Sequence, residues 1–150
     1  MTPAPRSPVA RQLELHIPSV LGFEHLAMEF AASVARMMGL PEARVADLMT
    51  AVGEACLNAI EHGQHGHTLD AAMKVGITLT VEESSLQVAV RDQGPAIGDV
   101  DSPRIEDKIE GRSPPRGWGI FLIKSLMDEV RFESAPEGGN VVKMVIHLKT

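Results

Sequence analysis

Between Val75 and Val90 the chain alternates strictly: Val75, Ile77, Leu79 and Val81, then Glu83-Ser84-Ser85, then Leu86, Val88 and Val90. Period-two alternation on both sides of a short polar turn predicts an antiparallel hairpin with one apolar face. That face has to be covered, and a sheet with helices packed on one side is the simplest cover. The covering elements are legible on both sides of the hairpin. Phe23, Leu26, Ala27, Phe30, Ala31, Val34 and Met38 recur at helical spacing and predict a helix from about Ser19 to Met38, with Gly39 as its cap. Pro41 suits the start of a second helix, whose apolar stripe is Val45, Leu48, Met49, Val52, Cys56, Ala59 and Ile60. It is expected to run to about His62, where Gly63 stops it. A third helix follows Gly117-Trp118-Gly119, with Ile120, Ile123, Leu126 and Met127 on its apolar side.

The remaining strands complete the sheet. Leu13, Leu15 and Ile17 alternate up to Pro18 and Ser19. Val130 to Ser134 and Val141 to Leu148 form a second hairpin around Gly138-Gly139. The fold expected is a two-layer α/β sandwich: a mixed, largely antiparallel sheet covered on one face by three helices. Residues 12–150 read as a single domain behind a flexible Pro-rich tail, residues 1–11, with Pro3, Pro5 and Pro8. From Gly98 to Arg116 no periodicity is sustained and prolines punctuate mixed charge, the pattern of a functional lid.

Composition removes several classes of function. Lys and Arg number 14 against 20 Asp and Glu, a formal charge of -6, which argues against broad binding to a nucleic-acid backbone. Cys56 is the single cysteine, so no internal disulfide forms and a reducing compartment is expected. The start carries no apolar run and nothing later approaches a membrane span; a cytoplasmic setting fits.

Candidate chemistry gathers at element ends. Glu54 and Asn58 are four apart on the second helix, roughly opposite Val52, so they are vertical neighbours. Spacing alone leaves them as either a solvated helix face or a functional pair. Asp92, before Gly94, sits where a strand breaks, and alone it suits an ordinary turn. Glycines at 117 and 119 open a helix whose exposed amides favour an anion. His62, His65 and His67 cluster in a loop region, but no neighbouring Cys or carboxylate pattern completes a zinc tetrahedron.

The ordered combination resembles the GHKL ATPase family, the Bergerat nucleotide-binding fold. Glu54-x-x-x-Asn58-Ala59-x-x-His62-Gly63 is similar to its N box, Asp92-x-Gly94 to its first glycine box, and Gly117-x-Gly119-Ile120 to its second. Gly119-Ile120-Phe121-Leu122-Ile123-Lys124-Ser125-Leu126-Met127-Asp128-Glu129-Val130 resembles the bacterial anti-sigma factor serine kinases of the RsbW and SpoIIAB type in particular. The resemblance spans about Leu13 to Leu148. It departs at Ala96, where the family has a second glycine, and at Gly139-Asn140, where it commonly has Gly-Thr.

The resemblance implies ATP or ADP as ligand, with Mg²⁺ taken by the carbonyl oxygen of Asn58. It implies Glu54 as catalytic base and Asp92 as acceptor for the adenine amino group. Gly94 would let the base approach, Gly117, Trp118 and Gly119 would line the phosphates, and His62, Ile97 and Asn140 would complete the nucleotide site. Arg116 is the candidate γ-phosphate contact, with Arg112 second. The implied function is an anti-sigma factor that phosphorylates a serine of a STAS-domain antagonist and holds a sigma factor, as a homodimer, without direct contact to nucleic acid or membrane. The alternative is a weakly catalytic or non-catalytic nucleotide-binding adaptor that sequesters a sigma factor or STAS partner.

Overall fold

A computed structural model of the chain describes residues 11–64, 73–93, 117–134 and 138–148. Its elements are β1 (Arg11–Pro18), α1 (Glu24–Met37), α2 (Glu42–Gln64), β2 (Lys74–Val81), β3 (Ser85–Arg91), α3 (Gly117–Leu126), β4 (Glu129–Ser134) and β5 (Asn140–His147). The strands form one five-stranded sheet in the order β1-β2-β3-β5-β4. Among the described residues every pairing is antiparallel, which sharpens the expectation of a mixed, largely antiparallel sheet.

Register explains why one face is dry. Ile17 pairs with Val75, Leu15 with Ile77 and Leu13 with Leu79. Ile77 then pairs with Val90, Leu79 with Val88 and Val81 with Leu86. The same row continues through Val142, Met144 and Ile146 of β5 to Phe132 and Val130 of β4. Cross-strand apolar pairs on one face are the unit by which a sheet gains stability. The opposite face carries Thr78, Thr80, Gln87 and Lys143, so a slip of one residue would turn the apolar side chains of the slipped strand to the wrong face. The helices close over the apolar row, and Val45, Leu48, Val52, Cys56 and Ile60 of α2 lie at its centre.

The helix boundaries differ from the spacing in two places. α1 begins at Glu24 rather than near Ser19, because residues 21–23 form a turn. There the Gly22 N–H donates to the Glu24 carboxylate and the Phe23 N–H to the Val20 carbonyl at 3.2 Å. The late start leaves Phe23 and Leu26 exposed, while Ala27, Ala31 and Val34 form the buried face with Ala32 and Ala35. Small residues on that face bring α1 close to α2. At Gly53 of α2 an added Cβ would stand 2.9 Å from Met28 Sδ.

The end of α1 follows the expected cap. Gly39 takes φ +87, its N–H bonds Arg36 O at 3.0 Å, and the Leu40 N–H bonds Ala35 O at 3.1 Å. That pair of bonds is a Schellman motif, closed by the buried Leu40 side chain. α2 runs through Gly63 to Gln64 rather than stopping at the glycine. One glycine costs a helix only about 1 kcal/mol, which the buried stripe of a 23-residue helix outweighs. Arg44 then ties α2 to the far end of α3, donating to Leu126 O at 3.1 Å and Asp128 Oδ2 at 3.2 Å. Among the described residues no helix is long and apolar enough to cross a membrane.

Candidate active site

α2 presents a narrow half-buried stripe, Glu54, Leu57, Asn58 and Glu61, between two buried flanks. Glu54 and Asn58 are therefore on one face, as the spacing predicts, but that face is less open than a solvated helix surface. The buried flank includes Cys56, whose thiol is pushed up to about 12, chiefly by burial and secondarily by the negative charge of Glu24. A thiol so placed packs as a small apolar group.

Glu54 lies against the start of α3. A Cβ built on Gly119 would fall 2.5 Å from Glu54 Oε2 and 3.4 Å from both its Cβ and its Cδ. Only a residue without a side chain lets the first turn of α3 sit on that carboxylate. Gly117 opens the helix and Gly119 is buried; Trp118 between them is 52% exposed and meets Phe121 edge to face at 6.2 Å. The far end of α3 is pinned by Arg44, so the helix is referenced to α2 at both of its ends.

Asp92, just past the end of β3, is 4% exposed. Its N–H donates to Asn140 O at 2.9 Å, and its Oδ1 accepts from both the Asn140 N–H and Asn140 Nδ2, each at 3.2 Å. Gly139 makes this approach possible. Its φ is +86, and a Cβ there would run into the Asp92 carbonyl. The sequence identifies Gly138-Gly139 as a turn, yet the direct Asn140–Asp92 bond is not legible in it. The available signal is a polar residue opening a strand immediately after two glycines.

The structure thus gathers the expected residues in two groups, Glu54 with Gly119 and Asp92 with Asn140. Asn58 is half-buried one helical turn beyond Glu54. His62 lies within α2, but its side chain is outside the described residues, as are Gly94, Ile97, Arg112, Arg116, the proposed lid and the loop histidines. Among the described residues no group of three or more His, Cys, Asp or Glu is placed to hold a metal.

Known proteins are similar to this chain over most of its length. The family described as the histidine kinase-like ATPase domain matches residues 22–146. The serine-protein kinase RsbW of Bacillus licheniformis is 33% identical over 127 residues, covering 77% of this chain and 72% of that protein. The anti-sigma F factor of Oceanobacillus iheyensis is 29% identical over 140 residues, covering 91% and 92%. Among solved structures, that of the RsbU and RsbW domains of Rv1364c from Mycobacterium tuberculosis superposes with a TM-score of 0.63 at 17% identity, and so speaks to fold alone. It covers 92% of this chain and 32% of that longer one. The matched span runs from before α1 to the penultimate residue of β5 and includes Glu54, Asn58, Asp92, Gly119 and Asn140: the chain belongs to the histidine kinase-like ATPase domain family.

Proposed function

We propose that this protein is an anti-sigma factor with ATP-dependent serine kinase activity, acting on a STAS-domain antagonist. The observation that carries the proposal is the seating of the Glu54 carboxylate on the first turn of α3 at Gly119. A helix start is an anion site by virtue of its unsatisfied amides. A carboxylate beside the phosphates of a bound nucleotide is in the place a general base must occupy. In the proposed transfer Glu54 takes the proton of the acceptor serine as its oxygen bonds to the γ-phosphorus. The bond to the β,γ-bridging oxygen breaks and ADP leaves.

The other proposed roles divide along the site. Asp92 accepts from the adenine amino group, Gly94 and Ile97 line the base, and Asn140 lies beside Asp92. Gly117, Trp118 and Gly119 line the phosphates, Arg116 meets the γ-phosphate, and His62 flanks the site at the end of α2. Asn58 suits Mg²⁺, since that ion binds few protein oxygens and takes the rest of its shell from phosphates and water. A half-buried carboxamide one turn from Glu54 fits such a role, and the ion would neutralise phosphate charge there. Residues 12–150 would act as one ATPase domain, in the cytoplasm and as a homodimer, with a sigma factor as second partner. The relatives named serine-protein kinase RsbW and anti-sigma F factor support this assignment.

The test is transfer itself. The protein is incubated with γ-labelled ATP, Mg²⁺ and each STAS protein encoded nearby, and phosphoserine is scored on the STAS protein. Labelled phosphoserine is the expected result. No transfer to any of them, with a sigma factor still bound, would make the protein a sequestering adaptor instead.

A further inference from the structure

Asp92 is more tightly held than reading a nucleobase by one hydrogen bond requires. It is 4% exposed, and both donors of Asn140 converge on a single oxygen, Oδ1, at 3.2 Å from the main-chain N–H and 3.2 Å from Nδ2. The Asp92 N–H returns a bond to Asn140 O at 2.9 Å, so the two backbones are locked in register. Gly139 admits this contact because it places no Cβ against the Asp92 carbonyl. The main-chain bonds fix where Asp92 is. The Asn140 N–H holds Oδ1 from one direction, and the Nδ2 bond to the same oxygen adds a second restraint on how the carboxylate is turned, since the terminal torsion of an aspartate is broad.

Orientation matters to a carboxylate that reads a purine. An ionised carboxylate is an acceptor only. Facing a 6-amino group it gains a charge-assisted bond; facing a 6-carbonyl it meets another acceptor and loses one. A carboxylate free to turn would relieve that repulsion and discriminate less. We propose that Asn140 is a specificity-determining positioning residue, whose side-chain amide holds Asp92 in the orientation that accepts a purine 6-amino group and rejects a 6-carbonyl. The proposal rests on Asp92 being the nucleobase acceptor and adds to it the residue that sets its selectivity. It requires no contact between Asn140 and the nucleotide.

The experiment compares affinity for ATP and for inosine triphosphate, which carries a carbonyl in place of the amino group. Both are titrated by calorimetry into wild type, Asn140→Ala, Asn140→Thr and Asp92→Asn. Wild type should prefer ATP. Asn140→Ala keeps the main-chain bonds, and its ATP-to-inosine ratio should fall roughly three- to tenfold, the worth of one hydrogen bond. Asn140→Thr, which retains a side-chain donor, should recover most of the ratio. A residue with a merely structural role would weaken both nucleotides alike, so a ratio in Asn140→Ala equal to wild type overturns the proposal. So does failure of Asn140→Thr to recover it. If wild type itself binds both nucleotides equally, and Asp92→Asn changes neither, the assignment of Asp92 is at fault and the role of Asn140 falls with it.

Discussion

Glu54 and Asp92 are both carboxylates in the candidate site, yet they are held by opposite means. Asp92 is buried past the end of a strand, gripped by backbone and side-chain donors of the neighbouring strand, with a main-chain carbonyl pressed against Gly139. Glu54 is half-buried on a helix, and its close neighbour at Gly119 approaches the tip of its side chain, the part that can move. A group that recognises a ligand gains from being fixed before the ligand arrives. A group that must take a proton from an incoming hydroxyl has to adjust to an acceptor that is not yet there. The difference matches the roles proposed for them, recognition at the sheet end of the site and reaction at the helix end.

Three substitutions press on that division. Glu54→Gln keeps the shape and reach of the side chain but removes its basicity. Phosphotransfer should slow by about a hundred- to ten-thousand-fold, the usual contribution of a positioned base, with ATP affinity near wild type by calorimetry. Transfer at the wild-type rate would remove Glu54 from the mechanism. Gly119→Ala should come next. The added methyl meets a movable carboxylate rather than backbone, so the fold should survive while Glu54 is displaced. A misplacement of this order lowers a rate by roughly a hundredfold. A collapse in melting temperature would show instead that the contact is architectural, as at Gly139. Asp92→Asn should have the smallest effect and the opposite character. ATP affinity should weaken about tenfold to a hundredfold, the worth of a charge-assisted hydrogen bond, with the rate at saturating ATP little changed. A large loss of rate at saturation would blur the two ends into one.

The fold was legible because its signals are periodic. Val75 to Val90 announces its own pairing and buried face, and the apolar stripe of α2 is regular from Val45 to Ile60. The start of α1 was not, because Phe23 and Leu26 match helical spacing as well as buried residues do. What displaced them is a turn at Gly22 and a core face built of alanines, whose small size carries little signal in a hydrophobic pattern. The site was legible as residue types in order but not as contacts. Glu54 and Gly119 are 65 positions apart and Asp92 and Asn140 48 apart, and no spacing rule reaches across such intervals. Only the packing of α3 on α2, and of β5 beside β3, brings them together.

The placement of β5 between β3 and β4 has a consequence for how the protein comes into being. During synthesis β1, β2, β3 and both long helices emerge first, and β3 then carries an unpaired edge until the last strand arrives. An open strand edge is the part of a nascent chain most prone to pair with a neighbour. Pairing of Ser85 with His147 closes that edge, and the same event delivers Asn140 to Asp92. The Asp92–Asn140 pair is therefore absent from a growing chain until β5 has left the ribosome. On the proposed role of Asp92, nucleotide would have no hold there during the early steps of folding and would secure the final one.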